Sequence, residues 1–269
     1  MPPLLTASVA DQAFAQLRRA IMTGELAAGE RYSVERIADL LDLQVSRTPV
    51  REALVRLSEA GFVTVEPKRG FRVIKRNVHD IEELFQIRLM LEVPAAYRAA
   101  HKDAVVNIEK LSAEFNAMDE IAQSSPEEEL EASPSDTPMP SSHELDLKFV
   151  DGDTRFHERI LKGAGNKRLV LDVRKLRFSI TALGAWRLSQ SRRGGLRRVQ
   201  HEHKTLLNAI EHHDQQAAAQ AMYSHLVNTG NDLMLLLEKE GEGTFDRQWF
   251  DSVVVPSPLC HASRLSGVS

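Results

Sequence analysis

The chain has 269 residues, one cysteine and a formal net charge of −4, with 42% hydrophobic and 27% charged residues. This length predicts two domains, and this composition is typical of a soluble globular protein. One cysteine excludes an intramolecular disulfide and a cysteine-rich metal site, and no apolar run or signal-peptide pattern indicates a membrane protein, so we expect a cytoplasmic location.

The charge is distributed unevenly along the chain. Residues 1–76 carry a net charge of +3, so the remainder carries −7. Binding to nucleic-acid phosphates depends on a local patch of cations rather than on the total charge. The acidic total therefore does not exclude DNA binding by the first part of the chain.

Three helices and a β-hairpin are predicted within residues 1–76. Apolar residues at helical spacing predict a first helix over 13–23 and a second over 34–41, and residues 1–10 are expected to form a short tail. Alternating residues on both sides of a basic turn predict a hairpin over 62–74.

The third predicted helix carries residue types that read DNA. Ser46 is the expected N-cap, because its hydroxyl can accept a hydrogen bond from a free backbone N–H, and Pro49 is tolerated in the first turn. The apolar stripe behind it consists of Val50, Leu54 and Leu57. The other side of this helix carries Arg47, Thr48 and Arg51. An arginine can pair with guanine, and a threonine can reach a base edge or a phosphate. An ordinary capped amphipathic helix is the alternative interpretation.

Residues 11–75 resemble the DNA-binding domain of the GntR family of bacterial transcriptional regulators, a winged helix-turn-helix. The resemblance rests on the string SRTPVREAL at 46–54 and on the shorter strings at 24–26, 61–63 and 69–71. One departure is the turn at 42–45, which is longer than usual and lacks glycine. The resemblance implies binding to double-stranded DNA through Ser46, Arg47, Thr48, Arg51, Lys68, Arg69 and Gly70.

The rest of the chain predicts helices only, so the fold class is mainly α: a winged domain over 1–76, then an all-helical bundle over 77–240. Six long helices are expected, over 80–101, 103–121, 144–162, 166–190, 196–212 and 215–238. The buried face of the first is expected to carry Ile81, Leu84, Phe85, Ile87, Leu91, Ala95 and Ala99. The acidic, proline-rich segment 123–142 is expected to be a disordered loop, and 241–269 a loose tail whose aromatic residues can dock onto a surface.

One carboxylate and three imidazoles can converge within this bundle. Asp153 and His157 are four residues apart and face the same way from one helix, while His203 and His225 lie on two later helices. Such a set can bind Zn²⁺ or Ni²⁺ and leave coordination positions open for a ligand. Spacing alone leaves open that these are ordinary core or surface histidines.

Residues 79–238 resemble the FCD effector domain, the all-helical partner domain of the FadR subfamily of GntR regulators. The resemblance rests on ELFQIR at 83–88, DTRFH at 153–157 and the segments around 202–210 and 225–226. It implies a divalent metal ion held by Asp153, His157, His203 and His225. Zinc is the preferred candidate for this ion and nickel is the alternative. It also implies a small-molecule effector, a carboxylate paired with Arg88. The alternative for Arg88 is a surface salt bridge with Glu92.

The sequence therefore predicts a metabolite-responsive transcription factor that binds a palindromic operator as a homodimer. One alternative from another class is a metal-dependent hydrolase in which the Asp/His set activates water. A further alternative is an effector domain whose histidines bind a ligand or one another without a metal.

Overall fold

The computed structural model describes residues 8–40, 46–124, 140–181 and 195–253. The predicted turn at 42–45, most of the acidic segment, the end of the helix predicted to reach residue 190, and the last part of the predicted tail lie outside the described residues. The described residues fall into two compact units, one formed mainly by the residues up to Lys75 and the other beginning at Arg76.

The first unit contains three helices and a small antiparallel sheet, which confirms the predicted winged fold. Its elements in chain order are α1 (Val9–Met22), β1 (Arg31–Tyr32), α2 (Val34–Leu40), α3 (Arg47–Glu59), β2 (Val63–Glu66) and β3 (Gly70–Val73). The sheet order is β1-β3-β2, with Phe71 of β3 opposite both Tyr32 and Val65. The sequence predicted the β2–β3 hairpin but missed β1, because two residues are too few to show an alternating pattern.

Helix α1 begins earlier than predicted, and the expected tail over 1–10 is wrong from Ser8 onward. The Ser8 hydroxyl accepts a hydrogen bond from the backbone N–H of Asp11, and the Asp11 carboxylate accepts one from the backbone N–H of Ser8. This reciprocal capping box satisfies two N–H groups that would otherwise lack partners at the helix start. A serine followed three residues later by an acidic residue is the sequence signal of a capping box, and Ser8 and Asp11 show it.

Apolar residues from the helices and the start of β2 form the core of the first unit. The α3 stripe predicted from the sequence is fully buried, as are Leu17 of α1 and Phe62, which precedes β2. Helix α3 packs on both α1 and α2. This packing holds α3 by its apolar side and leaves its opposite side at the surface.

Helices are the only regular secondary structure among the described residues of the second unit, as predicted. Its helices are α4 (Val78–Ala99), α5 (Ile108–Ser124), α6 (Pro140–Gly163), α7 (Lys167–Thr181), α8 (Gly195–Glu211) and α9 (Gln215–Lys239), followed by a short 3₁₀ helix at Trp249–Ser252. The end of α7, from Phe178 onward, is grouped with the first unit. Helix α9 packs against α4 and α8, and α5 packs against α6 and α8. No described helix has an apolar stretch that would carry it across a bilayer.

The buried face of α4 differs from the predicted one at a functionally important place. Ile87, expected inside, is 42% exposed, whereas Arg88 and Glu92 are 4% and 0% exposed. The sequence predicted either that Arg88 faces the effector pocket or that it forms a surface salt bridge with Glu92; the two residues form that salt bridge, but in the interior. A buried charge needs such a partner; the spacing of four residues indicated the pair, but not that it lies inside the bundle.

Helix α5 begins five residues later than predicted, at Ile108. The side chain of Asn107 accepts a hydrogen bond from the backbone N–H of Lys110 and so caps the helix there. Val105, which lies within the predicted helix, is instead 92% exposed. Asparagine is among the preferred N-cap residues because its side-chain oxygen satisfies a free N–H group.

Residues 241–253 do not form the predicted loose tail, because Trp249 is only 2% exposed. Its indole Nε1 donates to Asn231 Oδ1 at 2.9 Å, and its ring packs edge-on against Phe85 with 6.3 Å between centroids. Gly230 makes the space for it, since a Cβ there would lie 2.9 Å from the Trp249 ring and 3.1 Å from Phe85. The segment therefore completes the core of the second unit.

Candidate metal centre and nucleic-acid interface

Three helices bring the predicted carboxylate and three imidazoles together inside the second unit. Asp153 and His157 lie one turn apart on α6, His203 lies on α8 and His225 lies on α9. One ligand atom from each side chain can be chosen so that all four lie within 4.8 Å of one another. The histidines of this Asp/His centre are 0–3% exposed and so are shielded from bulk water, whereas the Asp153 side chain is 22% exposed.

The centre contains polar atoms that have no hydrogen-bond partner among the described residues. Asp153 Oδ1 lies 3.2 Å from His203 Nε2 and 3.7 Å from His157 Nε2. Both Nε2 atoms are buried and make no hydrogen bond. Leaving such an atom unsatisfied costs about 1–3 kcal/mol. A bound divalent cation would satisfy both, and one carboxylate with three imidazoles is a donor set that suits zinc.

The opposite ring nitrogen of each histidine is held by a side-chain oxygen. The Nδ1 contacts are His157 with Glu92 Oε2 at 2.6 Å, His203 with Gln200 Oε1 at 3.0 Å, and His225 with Glu202 Oε2 at 2.9 Å. Metal-binding histidines usually donate their other N–H in this way, which fixes the ring and its tautomer. All three rings are thus oriented with Nδ1 engaged and Nε2 left for the centre.

The protonation states in the centre also favour a cation. Burial lowers the pKa of His157 to about 3, and it lowers the pKa of His203 as well. Burial would raise the pKa of Asp153, but the adjacent guanidinium of Arg177 holds that pKa well below its ordinary value. At neutral pH His157 and His203 are therefore neutral imidazoles and Asp153 is an ionised carboxylate, the forms that bind metals.

Two buried arginines lie beside the centre. Arg177 of α7 donates through Nη2 to Asp153 Oδ2, which leaves Oδ1 of that carboxylate directed at the histidines. Arg88 donates through Nε to Glu92 Oε1 at 2.5 Å, while its Nη2 is buried without a hydrogen-bond partner. The salt bridge considered as an alternative for Arg88 is present, but it is internal rather than on the surface.

Sequence reasoning missed three of the residues that hold the centre: Arg177, Gln200 and Glu202. Arg177 is one of several basic residues on α7, and nothing in its spacing separates it from the others. Glu202 directly precedes His203, but neighbours in a helix point in different directions. Each contact joins different helices or depends on a side-chain rotamer, so only the folded bundle reveals it.

The predicted DNA-contacting residues of α3 lie at the surface of the first unit. Ser46, Arg47, Thr48 and Arg51 are all exposed at the N-terminal end of the helix. The Arg47 side chain is 76% exposed and its Nη1 lies 3.3 Å from Glu35 Oε1 of α2. A helix N-terminus with two exposed arginines can enter a major groove and approach base edges.

The expected cap hydrogen bond from Ser46 is absent, so that prediction is wrong. Ser46 has the extended backbone of an N-cap residue, but its side chain accepts no N–H from the first turn. The preferred donors for such a cap are the second and third helical residues, and the third is Pro49, which has no N–H.

The tip of the hairpin presents two cations. Lys68 and Arg69 are exposed in the turn between β2 and β3. Gly70 at the start of β3 has φ +97, and a Cβ there would lie 2.3 Å from the carbonyl oxygen of Tyr32. The close passage of β3 against the end of β1 is sufficient reason for a glycine at this position.

Two family descriptions match the chain. Residues 9–73 match the bacterial regulatory proteins of the gntR family, and residues 83–228 match the FCD domain. The matched ranges contain the α3 surface and the Asp/His centre respectively.

Similar proteins of known sequence are named as transcriptional regulators. The Nta operon transcriptional regulator of Aminobacter aminovorans is 32% identical over 192 residues, which are 71% of this chain and 79% of that protein. An uncharacterised HTH-type regulator of Agrobacterium vitis is 39% identical over 97 residues, 36% of this chain and 56% of the relative. The chain thus spans little more than half the length of that second relative.

Solved structures share the fold. E. coli McbR/YncC has a TM-score of 0.62 at 18% identity, covering 88% of this chain and all of the other. A GntR regulator from Rhodococcus sp. RHA1 has a TM-score of 0.61 at 20% identity, covering 84% of this chain and 97% of the other.

Proposed function

The chain belongs to the GntR family of bacterial regulatory proteins and carries an FCD domain, and we propose that a small carboxylate in a metal-containing pocket of that domain controls its binding to DNA. By family it is a DNA-binding transcriptional regulator. We assign DNA binding to residues 1–76 and effector binding to 77–240, a division that the two compact units support.

The family and the named relatives are regulators rather than enzymes, so the hydrolase alternative has no support from them. The exposed cations of α3 and the hairpin also have an immediate use in a regulator. Their purpose would be unexplained in a hydrolase.

We assign DNA contact to the exposed residues at the N-terminal end of α3 and to the cationic hairpin tip. In this proposal Arg47 and Arg51 reach base edges, Ser46 and Thr48 reach bases or phosphates, and Lys68 and Arg69 reach phosphates. Gly70 lets the hairpin approach the DNA backbone. Two copies on a palindromic operator would place two such surfaces about 34 Å apart along the DNA.

The observation that carries the proposal for the pocket is the pair of buried, unpartnered Nε2 atoms facing Asp153. Asp153, His157, His203 and His225 would hold the metal, which when bound offers a carboxylate oxygen an open coordination position. The buried and unpartnered Nη2 of Arg88 supports a role for this residue in pairing with the same carboxylate.

Elemental analysis with a thermal-shift screen tests this proposal. The full chain, dialysed against zinc and then against metal-free buffer, should retain stoichiometric zinc, and the His203→Ala variant should not. Small carboxylic acids should then raise the melting temperature of the zinc-loaded wild type more than that of the chelator-treated protein. Absence of bound metal in both proteins would refute the metal pocket, and a screen without any shift would refute the carboxylate.

A further inference from the structure

A chain of hydrogen bonds runs from the backbone of α5 to one imidazole of the centre. Gln200 of α8 donates through Nε2 to the backbone carbonyl of Phe115 at 3.0 Å, and its Oε1 lies 3.0 Å from His203 Nδ1. Gln200 is 3% exposed and His203 is fully buried. Water therefore has little access to compete for these contacts.

The first hydrogen bond of this chain can run in only one direction, and this limits the second. A backbone carbonyl carries no proton and can only accept, so the amino end of Gln200 must face Phe115. The oxygen end of the same amide then faces His203, and an amide oxygen also can only accept. A hydrogen bond between His203 and Gln200 Oε1 therefore requires the proton of the neutral imidazole to reside on Nδ1.

The tautomer of His203 also determines what its Nε2 presents to Asp153. With its proton on Nδ1, His203 directs the lone pair of Nε2 at Asp153 Oδ1, 3.2 Å away. Both atoms are acceptors, so without a cation between them the contact is repulsive. The hydrogen-bond direction that starts at Phe115 thus makes this position one that a positive ion stabilises.

Gln200 differs in one respect from the groups that hold the other two histidines. Glu92 and Glu202 are carboxylates, which can pair with a neutral imidazole or with an imidazolium. The amide of Gln200 has no charge and does not titrate, so it gives an imidazolium no ion pair.

We infer that Gln200 is a positioning residue that fixes the metal-binding tautomer of His203. The inference rests on the proposed metal pocket for its purpose, but the tautomer itself exists in the metal-free protein. Removing Gln200 leaves Asp153 Oδ1 as the nearest acceptor, so the imidazole proton moves to Nε2 and blocks the atom that would bind the ion.

Nitrogen-15 NMR of the histidine rings tests the tautomer directly in the full-length, metal-free chain. His203 of the wild type should show a protonated Nδ1 and an unprotonated Nε2, and Gln200→Met should show the reverse. A wild-type His203 protonated on Nε2 would overturn the inference, and this result does not depend on the folding of any variant. A Gln200→Met variant that keeps the wild-type tautomer would overturn it as well.

Zinc affinity, measured by competition with a chromophoric chelator, gives the second readout. Gln200→Met should bind zinc about 10–100-fold more weakly than the wild type. Gln215→Met is the matched control, because Gln215 also donates through Nε2 to a backbone carbonyl, but that carbonyl belongs to Tyr97 of α4 and the contact does not involve the Asp/His centre. It should retain wild-type affinity.

Equal affinities for the two variants and the wild type would overturn the role of Gln200. Failure of the wild type to bind zinc would instead refute the proposed metal pocket, while the tautomer measurement would still decide the inference about Gln200.

Discussion

At the scale of single residues, the two functional surfaces are built in opposite ways. Arg47 and Arg51 are exposed, and the contact of Arg47 with Glu35 is a surface ion pair, whereas Arg88 and Arg177 are buried against carboxylates. Exposed arginines remain free to pair with DNA, while buried ones fix the groups around them. Substitutions at the two sites should therefore separate DNA binding from ligand binding.

The double variant Arg47→Ala and Arg51→Ala should lose operator affinity without loss of stability. Each arginine that pairs with a guanine is worth about 1–3 kcal/mol, so the combined loss is about two to four powers of ten. Fluorescence anisotropy on an operator selected from random DNA by the wild type measures it. Arg168→Ala, an exposed arginine of α7, is the control, and equal affinities for all three proteins would refute the assignment of α3.

Gly70→Ala should destabilise the first unit because the new Cβ would lie 2.3 Å from the Tyr32 carbonyl oxygen at φ +97. Gly24→Ala is a matched control, since Gly24 has φ +79 but nothing within 4 Å of its Cβ position. The control should cost about 1 kcal/mol for the backbone alone, and Gly70→Ala should cost distinctly more. Chemical denaturation compares them, and equal losses would show that the close contact has no energetic effect.

At the scale of elements, the sequence predicted what depends on local periodicity. The α3 stripe and the β2–β3 hairpin follow from spacing within one segment, and so does the shared face of Asp153 and His157. Three other features depend on segments that are far apart in sequence. They are the inward position of Arg88, the docking of Trp249 and the contact of Gln200 with Phe115. Such contacts depend on how the helices pack, which a single sequence does not specify.

The 3₁₀ helix at Trp249–Ser252 should contribute to the stability of the second unit. Trp249→Ala would leave a cavity beside Phe85 and remove the hydrogen bond to Asn231, at a cost of about 3–5 kcal/mol. Trp249→Phe keeps most of the packing and should cost less. Calorimetry measures the change, and unchanged unfolding of Trp249→Ala would mean that the segment does not pack as described.

At the scale of the whole molecule, the proposal requires two DNA-binding surfaces acting together. A homodimer on a palindrome should lose affinity when five base pairs are inserted between the half-sites, because the insertion rotates one half-site about half a turn around the DNA. An insertion of one full turn of the DNA helix increases the distance between the half-sites but keeps both on one face of the DNA. It is the control that separates the effect of rotation from the effect of distance. Light scattering that shows one chain per operator would contradict the dimer.

Control by a ligand requires that the occupied pocket change the balance between arrangements with high and low DNA affinity. A ligand can do so only to the extent that it binds one arrangement more tightly. Typical couplings of this kind correspond to about 5–150-fold changes in affinity.

The most direct measurement is the operator affinity of the zinc-loaded full chain with and without the carboxylate that most raises its melting temperature. We expect the carboxylate to change the dissociation constant of the wild type about 5–150-fold, and we expect His203→Ala to bind the operator without responding to the carboxylate. An operator affinity of the wild type that stays the same with zinc and carboxylate present or absent would contradict control of DNA binding through the Asp/His centre.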